Sequence, residues 1–586
     1  MFSRLGGNDI SKVFKHLADL RPELILPGII ERVFTTLDSI TEPHKFTASL
    51  QCLASVSGVL VSGRRGTESS KTQVIPLLMA VLPGIDSNDF KKTTLTLQYI
   101  IAQSILIPFV DCSKASLYYD DLTEDEHLIC EQTAMLEDFV LQFLDRVFVL
   151  IEASSQESIR MEQSHMDSLK SKLETISEAL IQSSAHSILG QCSQEILDSA
   201  SRKLINYVKT HLFEPRVSGA AISTLCRVFA RVNGKEIYRA LIPYLVQSIE
   251  THFDETDDAV ELEKQSDEFL YYLVLLSNLV RGNAIDIQNY IDDIIPIIDK
   301  LLKCKCKLTN RSGANLLTNL LTNLSTIQTC DVKTCPEAYT KPLKEFLPIR
   351  HWGKKMHRDE RFQWTIPGVQ EQKICERLVH RYLVPILEKF QRYVKNEEAI
   401  SRDDLHLDLV VITGILKCNT LLPNWIEEPL KLFESVVVNK PYDLTLGFEN
   451  IQISMPDGSN IRMTIVKNLD ALQAKILSSS EDDIKSLKQL LAIYEKVHCR
   501  RHSNSSYDSQ LKSFQVFKMF QEYKLTKCRK DIRAVIATRI IIQQDLRDEI
   551  STPLFTPTHK LIMFNLIKLA TSHYSAVRCL AQAKLF

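Results

Sequence analysis

The sequence predicts an all-α fold, an α-solenoid of stacked antiparallel helix pairs that curves into a superhelix. Apolar residues recur in many segments with the 3.6-residue period of an amphipathic helix. Prolines sit inside several of these stripes and recur at intervals of about 50 residues. Only 17 of the 586 residues are glycine, a composition that favours helix over turn-rich β-structure. These features together indicate helix pairs that stack in series around one core.

The clearest stripe lies in the segment 234–249, around Pro243. Its apolar members follow helical spacing and are Tyr238, Leu241, Ile242, Leu245 and Ile249. The pattern returns around Pro296, and weaker copies surround Pro27, Pro76 and Pro385. A proline within a helix removes one backbone donor and bends or restarts the helix. The alternative is an ordinary helical domain that carries its prolines by chance.

In the first part of the chain, residues 1–328, helix follows helix. A helix starts near Asp9, and Asp86 or Ser87 is expected to cap a helix that carries Phe90 and Leu97 on one face. The polar stretch Gln156–Ser184 is expected to be a solvated helix or a loose connection. The other helices predicted here are Phe46–Val61, Thr72–Leu82, the helix marked by Leu136, Phe139, Val140, Phe143, Leu144 and Val147, Gln194–Phe213 and Val217–Val232.

Residues 329–368 form a separate, irregular part, with four prolines and two tryptophans. Between Lys341 and Arg361 there are seven basic residues against three acidic ones. Basic groups beside aromatic rings suit a phosphate-bearing ligand or an acidic partner surface. The candidate contacts for such an anion or partner are Lys354, Lys355, Arg358 and Arg361. The alternative is a surface loop that its tryptophans hold against the solenoid.

Helices resume in the third part, residues 369–586. A loop, or a short hairpin turning at Pro456-Asp-Gly458, is expected within Lys440–Asn460. We expect the whole chain to be one continuous solenoid and a piece of a longer one. The helices predicted here are Val379–Val394, Asp404–Leu421, Ile461–Leu477, Asp482–Val497, Ser509–Leu525, Asp531–Leu546 and the one that follows Tyr574.

The composition favours a scaffold over an enzyme or a nucleic-acid binder. The 70 basic residues nearly balance the 72 acidic ones, so no overall field attracts nucleic acid or a membrane surface. The most apolar run, Ile100–Val110, is too short to span a bilayer. The 14 cysteines are scattered, which suits a reducing compartment and predicts no metal site. No phosphate-binding loop, nucleophile elbow or zinc-protease motif is present, so we expect no catalytic site and no required cofactor.

Several irregular loop sequences, as well as helix faces, resemble one family in the same order along the chain. That family is the large HEAT-repeat proteasome activators, called proteasome activator complex subunit four in animals, and the chain resembles its middle region. The closing stretch Tyr574-Ser-Ala-Val-Arg578 also has the pattern of the second helix of a HEAT repeat. The segments that carry the resemblance are Leu20–Pro27, Thr41–His44, Leu82–Phe90, Phe109–Cys112, Glu137–Phe143, Phe346–Lys354, Ser480–Ser486 and Tyr574–Arg578.

The resemblance implies a dome-shaped HEAT solenoid that caps the outer ring of the proteasome core particle and opens its gate without ATP. It implies degradation of peptides and acetylated histones, a location in nucleus and cytoplasm, and binding of inositol phosphates at residues that the resemblance does not identify. The family's C-terminal tail and acetyl-lysine region have no counterpart here. Two alternatives are a HEAT-repeat adaptor for nuclear transport or other protein scaffolding, and the helical arm of a giant lipid-kinase-like enzyme.

Overall fold

The fold was determined as a computed structural model. Its helices fall into a part before the irregular segment and a part after it. The residues that the structure describes are 7–38, 43–61, 68–161, 179–254, 266–304, 306–326, 328–329, 333–353, 364–365, 367–418, 421–423, 427–428, 430, 453–498 and 555–585.

Nine α-helices are described in the first 190 residues, and the predicted Thr72–Leu82 is shorter than expected, at Val74–Val81. The predicted helix Phe46–Val61 begins three residues earlier, at Pro43, where proline is favoured because the first helical N–H groups need no helical acceptor. The helices are α1 (Gly7–Leu20), α2 (Pro22–Asp38), α3 (Pro43–Val61), α4 (Glu68–Lys71), α5 (Val74–Val81), α6 (Phe90–Ser104), α7 (Glu124–Gln132), α8 (Leu136–Met161) and α9 (179–189).

The remaining described helices continue the series on both sides of the irregular segment. The predicted helices Ser509–Leu525 and Asp531–Leu546 lie outside the described residues. The helices are α10 (Gln194–Thr210), α11 (Ser218–Val232), α12 (Gly234–Asp254), α13 (Asp267–Leu279), α14 (Ala284–Ile287), α15 (Ile291–Lys303), α16 (Lys307–Ser325), α17 (Glu337–Thr340), α18 (Val369–Val394), α19 (Arg402–Ile415), α20 (Ile461–Ser479), α21 (Ile484–His498), α22 (Pro557–Ala570) and α23 (Ser575–Leu585).

The longer helices form two layers. Within a pair, the two helices pack on each other, and each also packs on the same-layer helices before and after it. Where α15 meets α18, Arg377 Nη2 donates to Asp292 Oδ1 at 2.7 Å and Tyr382 Oη to Asp299 Oδ1 at 2.9 Å. The first layer contains α2, α5, α8, α10, α12, α15, α18, α20 and α22, and the second contains α1, α3, α6, α9, α11, α13, α16, α19, α21 and α23.

The buried apolar side chains of both layers join into one cluster that runs from Ala18 to Ala581. A continuous core with neighbours stacked in series is the defining property of a repeat solenoid. The prediction of an all-α, HEAT-like solenoid of stacked helix pairs is therefore confirmed. Its division into residues 1–328, 329–368 and 369–586 stays a prediction.

The recurring prolines mark the first layer. Pro27, Pro243, Pro296 and Pro385 lie inside α2, α12, α15 and α18. Pro76 differs, since it is the third residue of α5, in the first turn, where a missing N–H breaks no helical hydrogen bond. It therefore lies near the start of a helix, and its expected place in a helical stripe is confirmed, because Ile75 and Leu78 of the same helix are buried.

The predicted cap of α6 is wrong. Asp89 Oδ1 accepts from Lys92 N at 2.9 Å, so Asp89 caps the helix, whereas Asp86 and Ser87 were expected to. Asp86 instead closes the preceding turn, because its Oδ1 accepts from Asn88 N at 3.0 Å. Both carboxylates can accept from a backbone N–H, and the chain's actual entry into the helix decides which one caps it.

Polar bonds fix the spacing of the second layer. Asn278 Nδ2 of α13 donates to Ser223 Oγ of α11 at 2.9 Å, and Asn319 Nδ2 of α16 donates to Ser277 Oγ of α13 at 2.8 Å. At the next junction Gly414 of α19 lies so close to α16 that a Cβ there would be 2.2 Å from Thr318 Oγ1. Small and hydroxyl-bearing residues therefore let these helices approach closely.

Two described stretches contain the non-helical backbone that the sequence indicates. Strand β1 (Gln328–Thr329) follows α16 and pairs antiparallel with β2 (Trp364–Thr365), which precedes α18. Of Lys440–Asn460, residues 453–460 are described; there Met455 N donates to Ser459 O at 3.0 Å around Pro456-Asp-Gly458, and Gly458 has φ +79°. This described turn carries no strand, and the rest of the expected hairpin or loop lies outside the described residues.

Candidate functional site

The irregular segment sends residues 333–353, here called the docked arm, back onto earlier helix pairs. Its first anchor is the connection between α9 and α10. Tyr339 Oη donates to Gln191 O at 2.6 Å, Lys333 Nζ donates to Cys192 O at 3.2 Å, and Thr334 Oγ1 donates to Gln191 Oε1 at 2.8 Å. Two of these bonds end on backbone carbonyls of the connection after α9, and Gln191 O also accepts from Phe109 N at 2.7 Å.

The second anchor is an ion-paired arginine. Arg350 Nε and Nη2 donate to the two carboxylate oxygens of Glu126 at 2.8 and 2.9 Å, and Arg350 Nη1 donates to Asp121 Oδ2 at 3.1 Å. Arg350 also lies over the ring of Tyr119, 5.7 Å from its centre, and Tyr119 Oη donates to Leu343 O at 2.9 Å. Hydrogen bonds from Arg350 hold the pKa values of Glu126 and Asp121 below their usual range.

Apolar side chains complete the docking. Trp352 is only 2% exposed, and Leu347 and Ile349 are buried in the same core cluster as the helices. The backbone of the arm is also bonded to the stack, because Gly353 N donates to Leu106 O at 2.9 Å. Gly353 has a φ of +64°, a conformation that favours glycine. The expectation that tryptophan holds the segment against the solenoid is therefore confirmed for Trp352.

The predicted anion contacts Lys354, Lys355, Arg358 and Arg361 lie outside the described residues, and so does the side chain of Trp364. Of the other basic residues of this segment, Lys341 and Lys344 are exposed. Arg350 already serves two carboxylates and is not available to a ligand without undocking the arm.

A second group of cations lies at the ends of second-layer helices. Arg231 is in the last turn of α11, Arg281 follows α13, Lys417 follows α19 and Lys496 is near the end of α21. We call these four residues the basic row. Arg231 and Arg281 lie beside each other, because Gly282 and Ala230 are so close that a Cβ on Gly282 would be 2.5 Å from that of Ala230. Within the described part of the chain, no carboxylate forms an ion pair with any of the four.

The pKa values show how poorly these charges are compensated. Loss of hydration, and then the charge of Arg281, lowers the pKa of Arg231 and also that of Lys417. Burial, and then the charge of Lys417, lowers the pKa of Lys496 to about 8. Arg231 and Lys417 are nevertheless exposed to solvent. Side chains that are accessible yet poorly hydrated lie on a recessed surface, where a ligand of opposite charge can reach several of them at once.

The row was invisible to sequence reasoning because its members are far apart in the chain. None of the four belongs to a recognisable sequence motif. Only the stacking of the second-layer helices brings them to the same edge of that layer. Each lies in or next to the last turn of a second helix, where a cation also stabilises the helix dipole. That shared position is the signal that a repeat-by-repeat alignment of the helix pairs would have revealed.

The described residues offer neither a metal site nor a membrane span. Among them, no three His, Cys, Asp or Glu side chains gather so that they could hold a metal ion. None of the described helices has both the length and the apolar run needed to cross a bilayer. The features that stand out are therefore the docked arm and the basic row.

Known proteins resemble this chain in sequence. The family model for the mid HEAT-repeat region of proteasome activator complex subunit 4 matches residues 7–422. Subunit 4B of Danio rerio is 33% identical over 591 residues, and the Homo sapiens subunit 4 is 34% identical over 591 residues. Both alignments cover 100% of this chain and 32% of the relative, so the chain spans about a third of the length of these relatives.

Among solved structures, the crystal structure of Kap121p bound to Ste12p matches 99% of this chain and 64% of that chain, with 12% identity and a TM-score of 0.29. A likeness of that size carries no conclusion. The family match does, because it includes the first helix pairs, the docked arm and α19 in one alignment. The chain belongs to the proteasome activator complex subunit 4 family.

Proposed function

We propose that this chain forms part of the wall of an ATP-independent proteasome activator and acts as a scaffold without catalytic activity. The observation that carries the proposal is the identity of 33–34% along the entire chain to proteins named proteasome activator complex subunit 4. The two-layer stack supports it, because helix pairs with a continuous core make an extended wall.

In this mechanism the wall sits over the entrance of the core particle and holds the parts that contact its outer ring. Contacts that bind the open gate more tightly than the closed one shift the population toward the open arrangement, and no nucleotide is needed for that shift. The substrates would be peptides and acetylated histones, and the protein would act in nucleus and cytoplasm. Its role is then mechanical, since the wall supplies position and enclosure while the core particle supplies the chemistry.

The test uses the intact protein that contains this chain, mixed with purified core particles and a fluorogenic peptide in the absence of ATP. We expect the protein to co-purify with core particles and to accelerate peptide hydrolysis. A protein that binds no core particle, or that binds and leaves hydrolysis unchanged, would overturn the proposal. Capture of a transport GTPase in a parallel pull-down would instead favour the nuclear-transport adaptor.

We further propose that an inositol phosphate, or another small polyphosphate, binds at the basic row. Arg231, Arg281, Lys417 and Lys496 present like charges that form no ion pair with a described carboxylate, and a polyanion would relieve their mutual repulsion. Binding requires the charged form of Lys496, whose pKa is about 8, so we expect weaker binding at pH 9 than at pH 7.

Calorimetry with inositol hexakisphosphate and the intact protein tests this site. Arg231→Gln combined with Lys417→Gln should weaken binding by about tenfold or more, since each charged contact contributes about 1.5–3 kcal/mol. The matched control is Arg239→Gln, which removes an exposed arginine that already pairs with Glu236. Equal affinity for the double variant and the control would rule out the row as the site.

A further inference from the structure

In an ordinary solenoid each helix pair contacts only its neighbours, and the docked arm departs from this rule. Its first anchor joins residues 141 to 148 positions apart, Lys333 to Cys192 and Tyr339 to Gln191. Its second anchor joins residues 224 to 229 positions apart, Arg350 to Glu126 and to Asp121. The pairs α10–α11, α12–α13 and α15–α16 lie between the arm's origin and its anchors.

The arm is also attached at its base. The segment that carries the arm leaves the stack after α16 and rejoins it before α18, and the pairing of Gln328 with Thr365 and of Thr329 with Trp364 joins the two ends of that segment. A segment fixed at its base by β1–β2 and at its far end by Arg350 and Trp352 connects two parts of the wall that are far apart in the order of stacking.

Such a connection has a mechanical consequence. Each junction between helix pairs tolerates a small rotation, and these rotations add up along a solenoid, so an untied stack is elastic. A tie between α16 and the region around α6 and α7 limits the sum of the rotations across the intervening pairs. It does so without altering any single junction.

We infer that the docked arm is a brace that sets the curvature of the stack between α6 and α16. Arg350 and Trp352 hold the far end, Tyr339 and Lys333 hold the middle, and β1–β2 holds the base. Undocking leaves every helix pair folded and allows the braced section to straighten. Because the second anchor is ionic, high salt and low pH act on the brace before they act on the apolar core.

The experiment compares two arginine variants of the intact protein. Arg350→Ala removes the second anchor, whereas Arg377→Ala removes the ion pair to Asp292 between the adjacent helices α15 and α18. The readouts are amide hydrogen exchange in 119–126 and 187–193, and the maximum dimension from small-angle X-ray scattering.

For Arg350→Ala we expect exchange about tenfold or more faster in both regions and a larger maximum dimension, because loss of one anchor frees the whole arm. For Arg377→Ala we expect faster exchange near residue 292 alone and unchanged scattering.

Faster exchange confined to 119–126, with unchanged scattering, would overturn the inference, because it would mean two independent contacts and no brace. If Arg350→Ala loses helical circular dichroism, Tyr339→Phe takes its place. That variant removes only the hydrogen bond to Gln191 O, and it should accelerate exchange in both regions to a smaller extent. Exchange in Tyr339→Phe that matches the parent in 119–126 would likewise reject the brace.

Discussion

The helix pairs α10 to α16 and the docked arm are held in different ways. In the helix pairs, side chains contact neighbours within the pair or in the adjacent pair. Tyr238 of α12, for example, donates to Leu279 O of α13 at 3.3 Å. In the arm, a few polar anchors reach partners 141 to 229 positions away. One chain can therefore combine helix pairs whose contacts are local in sequence with an arm whose partners come close only after the helix pairs have stacked.

The largest expected effect breaks the wall itself. Phe229 of α11 is fully buried, so Phe229→Ala should destabilise this part of the stack by about 4 kcal/mol through lost transfer energy and an unfilled cavity. The midpoint of thermal denaturation and hydrogen exchange across α10 to α13 measure the loss. Leu212→Ala is the control, since Leu212 is 58% exposed and should change little.

A somewhat smaller effect separates the arm from the wall. Trp352→Ala should weaken docking of the arm by about 3 kcal/mol, because Trp352 fills a buried site among both helices and arm. Helical circular dichroism should stay at the parent level, while limited proteolysis cuts the arm faster. A loss of helix comparable to that of Phe229→Ala would show that the arm is part of the wall's own core.

Two glycines sharpen the account of how closely the helices approach. A Cβ at Gly282 would lie 2.4 Å from Tyr238 Oη and 2.5 Å from Ala230 Cβ, so Gly282→Ala should destabilise by about 2 kcal/mol. At Gly28, inside α2, no atom lies within 4 Å of the added Cβ. Gly28→Ala should therefore stabilise by up to about 1 kcal/mol, as in an exposed helix. Thermal midpoints that shift in the same direction for both variants would contradict this explanation.

The smallest effect is a pH dependence confined to the arm. Arg350 lowers the pKa values of Glu126 and Asp121, so their contribution to docking is complete above the ordinary carboxyl pKa and is lost as pH falls through the lowered values. We expect docking to be unchanged from pH 7 to about pH 5 and to weaken below about pH 4. Hydrogen exchange in residues 119–126 measures the docking of the arm at each pH. Arg350→Ala should abolish the acid-dependent change in that exchange.

The wall was predictable because its information is local. The apolar spacing around Pro243 and Pro296 predicts the helices α12 and α15 and the face of each that is buried. Ile294 and Ile298 are buried as that spacing requires. The cap of α6 was missed because Asp86 and Asp89 both suit a helix start. The family followed from irregular loop sequences such as Phe346–Lys354, which helical periodicity cannot produce by itself.

The arm's anchors and the basic row were not predictable. Arg350 is one of seven basic residues in its segment, and nothing local singles it out as the partner of Glu126. Lys417 and Arg281 are brought close only by the stacking of α13, α16 and α19. Partners separated by a hundred or more positions leave no pattern that a single sequence reveals.

The two-residue ribbon of Gln328–Thr329 with Trp364–Thr365 returns the chain to the place it left, so α18 follows α16 in the wall as if nothing intervened. Residues inserted or deleted beyond this ribbon change the length of the excursion and leave the order of the helices in the wall unchanged. The ribbon thus makes the order of the helix pairs independent of the length of the excursion, whereas the curvature between α6 and α16 depends on the anchors of the docked arm.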